Sequence, residues 1–141
     1  MRAYIIGSLV VVGALLIGSQ ATAHHSFAAE FDRAKPVTLT GIVTKVDWTN
    51  PHVWFYINVK DKATGKVTNC GAEMGPPHML QGQGWRRDTL KAGQEVTIKG
   101  SLAKNGTNRL NASTVTVTAT GGSPRELDAA SSGGTGEAAK P

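Results

Sequence analysis

The chain has 141 residues, 15 Lys and Arg against 10 Asp and Glu, a formal net charge of +5 and a single cysteine. That length suits one domain, and one cysteine excludes an internal disulfide. The basic residues are scattered, with only Arg86 and Arg87 adjacent, so they read as a solvated surface and not as a nucleic-acid footprint.

The first segment reads as a secretory leader. Arg2 supplies a positive start, Ala3 to Ile17 is apolar apart from Ser8, and Ala21-Thr22-Ala23 forms a small-x-small cleavage site. The apolar run falls short of the roughly 18–20 residues that span a bilayer, so removal of residues 1–23 is expected rather than a stable membrane anchor. Ser19-Gln20-Ala21 is an alternative site that would leave Thr22 first. The expected location is periplasmic or secreted.

A cut after Ala23 makes His24 the first residue, with a free α-amine beside its imidazole. Amine and imidazole nitrogens together chelate Cu(II), Zn(II) or Ni(II), with copper heading the usual affinity order. His24, His25 and His52 are therefore the candidate metal ligands, and copper the candidate cofactor. In the competing reading, His24-His25 is a polar start without a metal role. Cys70, Met74, His78 and Met79 include soft donors, but their spacing matches no tight thiolate motif.

The domain is expected over residues 24–119. Val37 to Trp48 is rich in β-branched residues, with Gly41 marking a bend or bulge. After Asn50-Pro51, the segment His52 to Lys60 alternates. Val53, Phe55, Ile57 and Val59 point one way, and His52, Trp54, Tyr56 and Asn58 the other. Asp61 to Gly65 reads as a hairpin loop and Lys66 to Glu73 as its returning strand. Gly75-Pro76-Pro77 stops that strand, and His78 to Gly84 reads as a short helix. Strands over Gln94 to Leu102 and Arg109 to Thr118 follow, separated by the turn Lys104 to Asn108. This order predicts a mainly β fold, a small five-stranded barrel of the oligonucleotide/oligosaccharide-binding (OB) type with one short helix between strands 3 and 4. A five-stranded sandwich is the competing layout. Residues 120–141 are Gly-, Ser- and Ala-rich with Leu127 their only large apolar residue, and a disordered tail is expected there.

In an OB-like barrel the loop joining the first two strands borders the ligand face. Trp48, Trp54, Tyr56 and Trp85 are accordingly candidate ligand-binding residues lining an apolar groove, with His52 at its mouth. Aromatics also fill small cores, and plain packing is the alternative. No paired acids or Ser-His-Asp arrangement can be read from spacing, so no catalytic residue is assigned.

Ala23-His24-His25-Ser26-Phe27, Thr49-Asn50-Pro51-His52 and Gly84-Trp85 ahead of Leu90-Lys91-Ala92-Gly93 resemble a family of small exported bacterial proteins. That family is catalogued as a domain of unknown function, number 6152. The resemblance implies an exported barrel-like domain and supplies no activity, ligand or catalytic residue. Taken together, these features point to an exported, non-enzymatic binding or accessory module for a metal or an envelope component. The alternatives are a structural or protein-interaction domain without a metal and, further off, a copper-dependent oxidative enzyme.

Overall fold

A computed structural model describes residues 27–118 and 123–129. The expected leader, His24 and His25, and most of the C-terminal tail lie outside the described residues. The elements run α1 (Phe27–Glu30), β1 (Phe31–Asp47), β2 (Trp54–Lys60), β3 (Val67–Glu73), α2 (Pro77–Gly82), β4 (Glu95–Ala103), β5 (Arg109–Val117) and β6 (Arg125–Asp128). Each strand expected from the sequence is present, and the short helix stands between β3 and β4.

The strands are hydrogen-bonded in the order β3-β2-β1-β4-β5-β6, and β3 also pairs with β5. That last pairing is parallel and closes β1, β2, β3, β5 and β4 into a ring; the other neighbours are antiparallel. A closed ring decides against two facing sheets and agrees with the OB-like layout. Strand β1 makes closure possible because it is long enough to serve two partners. Its first part pairs with β4 and its last part with β2. At the changeover stands Gly41, where a β-carbon would lie 2.5 Å from the Asn58 carbonyl oxygen. Only a residue without a side chain lets the two backbones approach so closely. The bulge itself falls just beyond, at the register shift between Val43 and Lys45.

The core fills the inside of the ring. Phe55 and Ile57 from β2, Val96 and Ile98 from β4, and Leu110 and Val115 from β5 are all fully buried. The alternation read from β2 therefore holds: Val53, Phe55 and Ile57 are inward, whereas Trp54 and Tyr56 are half-buried on the outer face. Helix α2 adds Leu80 as a lid, followed by Trp85.

One expectation is corrected. Arg125–Asp128 lies within the stretch expected to be disordered, yet it forms a sixth strand against Thr114–Val117 of β5. The cause is the way β5 is shared. Strand β3 pairs only with Arg109–Asn111, which leaves the later edge of β5 open for another strand. Leu127 and Ala129 then drop into the core, Ala129 N–H donates to the Ser113 carbonyl at 2.8 Å, and Gly75 N–H donates to the Ala129 carbonyl at 3.1 Å. Poor average composition hid a slot that Leu127 and Ala129 fill.

Candidate functional site

Cross-strand register builds one polar-aromatic row on the outside of the ring. Lys45 of β1 stands opposite Tyr56 of β2, Tyr56 opposite Gly71 of β3, and Gly71 opposite Arg109 of β5. Opposed residues share a face, so four strands contribute to one line. The next row is Asp47, Trp54, Glu73 and Asn111.

Gly71 gives the rings their room. A β-carbon there would lie 3.2 Å from Tyr56 Cε1 and 3.7 Å from Trp54 Cζ3, so both rings lean over this glycine. Cations cap the two rings. The Arg109 guanidinium carbon lies 4.4 Å from the Trp54 ring centroid, and Lys45 Nζ lies 5.7 Å from that of Tyr56. Such contacts are electrostatically favourable and fix the direction of an otherwise flexible cation. Lys45 also donates to Asp47 Oδ2 at 2.7 Å, and that hydrogen bond raises its pKa above the usual lysine value. Among the described residues Arg109 has no carboxylate partner. On its other side Arg109 borders a cavity of about 250 Å³ between α1 and the β4–β5 loop, which Glu30 and Lys104 also line.

His52 and Glu73 close one end of the face. Glu73 ends β3 and is 7% exposed, and its carboxylate accepts a hydrogen bond from His52 Nδ1. A buried carboxylate needs such a partner. With the Nδ1 proton committed to Glu73, Nε2 is the nitrogen left to act as acceptor or ligand. At the other end Asn69 Nδ2 donates to Asn58 Oδ1 at 2.9 Å, tying β3 to β2.

The seven candidate residues do not all meet. Trp54 and Tyr56 share the outer face with His52 nearby. Trp85 does not: it is 1% exposed in the core, with its indole N–H donated to the Asp128 carbonyl at 2.6 Å. Trp48 packs against the core as well, so the four-aromatic groove reduces to two rings on the outer face. The reason is the turn that closes α2, where the Trp85 backbone N–H donates to the Leu80 carbonyl at 3.0 Å and both residues join the buried core. Among the described residues no group of three or more His, Cys, Asp or Glu side chains is placed to hold a metal ion. His52 is engaged with Glu73, and His24 and His25 lie outside the described residues. Cys70 and Met74 are buried in the core, where burial pushes the Cys70 thiol pKa up.

Sequence reasoning missed Lys45, Gly71, Glu73 and Arg109 as members of the site. Their only common signal is register across four strands, which no local window contains. A family model described as "Family of unknown function (DUF6152)" matches residues 13–111, a span that includes every residue of both rows. No curated protein matches the chain.

Proposed function

The chain belongs to this family of unknown function, and we propose that it is an exported, non-enzymatic binding module whose ligand lies on the outer β2–β3 face. The observation that carries the reading is the row Lys45, Tyr56, Gly71 and Arg109 with Trp54 beside it. Two adjacent rings leaning over a glycine, each capped by a cation, offer area and fixed polar groups while remaining partly open to solvent. The β2–β3 face is also where OB-type barrels hold ligands. A row of rings and cations binds and orients but transfers nothing by itself. Export is supported by the leader pattern ending at Ala23.

The test is a small-molecule array of sugars and organic acids, read by amide and indole chemical shifts of the purified protein. Shifts confined to β2, β3 and the start of β5, and lost in the Trp54→Ala/Tyr56→Ala double variant, support the reading. Shifts that ignore this face in every case overturn it, and the structural or protein-interaction alternative then stands.

A second reading, copper binding through a mature N-terminal His24, is supported by the Glu73 contact that orients His52. Metal-bound histidines commonly have their other ring nitrogen held by a carboxylate in this way. Intact mass of the exported protein tests whether His24 comes first. If it does, Cu(II) titration should show binding weakened more by a Met placed ahead of His24 than by His25→Ala, because the extension separates amine from ring. His52→Ala measures the domain's share. Affinity no better than that of a short unfolded His-His peptide removes the metal role.

A further inference from the structure

We infer that Arg109 is the specificity-determining residue of this face and that the ligand carries a single carboxylate on a flat or ring-shaped body. The inference rests on the reading that the β2–β3 face binds a ligand, and it adds the ligand's chemistry. It starts from the charges around the two rings. Lys45 is answered by Asp47 at 2.7 Å, and Glu73 is engaged by His52. Lys104 and Glu30, of opposite sign, line the neighbouring cavity. Arg109 is left as the cation of the row without a carboxylate at ion-pair distance among the described residues, so its guanidinium is the group open to a ligand anion.

Geometry narrows the anion further. The Arg109 guanidinium carbon sits 4.4 Å from the Trp54 ring centroid, and its N–H edge has no side-chain acceptor among the described residues. That edge is a planar fork matched to the two oxygens of a carboxylate. Because the ring contact already limits the side chain's freedom, less entropy is lost when the ligand arrives. Tyr56 stands one strand beyond Gly71 in the same row, so a ring resting on Tyr56 directs a carboxylate substituent toward Arg109. A dianionic phosphate would find one uncompensated cation where it needs more.

The probes are glucuronate and benzoate, a sugar acid and an aromatic acid, each against a neutral counterpart, methyl glucoside and benzyl alcohol. Binding is read from the Trp54 indole and Arg109 Nε–H resonances of the purified protein. The expected result is saturable shifts with at least one acid and much weaker ones with the neutral counterparts. The better acid identifies the source class. Arg109→Gln, an exposed change at the start of β5, should weaken acid binding about tenfold or more while leaving thermal unfolding near that of the parent. Arg109→Lys keeps the charge without the fork and should restore only part of it. Equal binding of acid and neutral partner, unchanged affinity in Arg109→Gln, or no shift with either acid at tens of millimolar overturns the inference. In the first two outcomes the face still binds, so the proposed function survives. In the third, the wider array decides it separately.

Discussion

Trp85 donates its indole N–H to the backbone carbonyl of Asp128 at 2.6 Å, so a buried side chain after α2 holds the last described strand in place. Beyond its backbone pairing with β5, two side-chain devices thus help fasten β6: this hydrogen bond and the burial of Leu127.

Removing either device should loosen the same element. Trp85→Phe leaves the Asp128 carbonyl without its indole donor and opens a small void, for a loss of about 1–3 kcal/mol. Leu127→Ala should cost about 2–5 kcal/mol if the slot cannot collapse. Urea unfolding gives both values. Hydrogen exchange should show the Ala129 amide, bonded to Ser113, losing protection in each variant. A fully protected Ala129 in Leu127→Ala would show that β6 is held by something else.

Strand β2 offers a comparison of its two faces. Phe55 is fully buried, and Phe55→Ala should cost about 3–5 kcal/mol. Trp54 is half-buried beneath Arg109, and Trp54→Ala should cost clearly less while abolishing ligand-induced shifts on the outer face. Equal losses by denaturant titration would mean that both faces act as core.

Two glycines should respond in opposite directions to alanine. At Gly41 the new methyl meets the Asn58 carbonyl, and relieving that contact by backbone movement should cost about 1–3 kcal/mol. At Gly82, the last residue of α2, nothing lies within 4 Å of the new carbon. Restricting the unfolded chain there should leave stability unchanged or raise it by up to about 1 kcal/mol. Thermal unfolding of the two variants provides the check.

A pH effect is expected in the β2–β3 loop. The Asp61 carboxylate accepts hydrogen bonds from the Thr64 amide, the Thr64 hydroxyl and the Ala63 amide, which together lower its pKa. A folded pKa below the unfolded one means that this loop's contribution is present above the ordinary aspartate value. It fades as pH falls through the lowered one. Carbon-detected titration should place Asp61 below an ordinary aspartate, and Asp61→Ala should remove that acid-side loss. An Asp61 that titrates at the ordinary value would contradict the geometry.

Cys70 supplies the opposite sign. Burial raises its thiol pKa, so the folded state holds the proton more tightly, and this preference fades as pH rises through the raised value. The thiol should resist alkylation at mildly alkaline pH in the native protein and react quickly after denaturation.

Much of the fold could be read from local pattern. The nine-residue alternation around Phe55 identifies a half-buried strand, and Asp61 to Gly65 and Lys104 to Asn108 mark the hairpin turns. What could not be read depends on partners distant in the chain. Leu127 looks isolated until β5 presents an unpaired edge, and Trp85 looks like a surface ring until α2 turns it inward. The site divides along the same line. Trp54 and Tyr56 follow from strand period, whereas Arg109 and Glu73 join them only through the register of β3 with β5 and β2.

The ring closes through three residue pairs, Gly71 with Arg109, Ala72 with Leu110 and Glu73 with Asn111. Every other junction between consecutive members of the ring is longer. This seam is the short joint of the fold, and two of its six residues, Gly71 and Arg109, also belong to the row that carries Tyr56. A molecule gripped between Tyr56 and Arg109 lies across that joint like a clasp, binding β2 to β5 over the top of β3. Occupancy of the face and closure of the ring then become one mechanical variable, readable as slower exchange of the Gly71 amide.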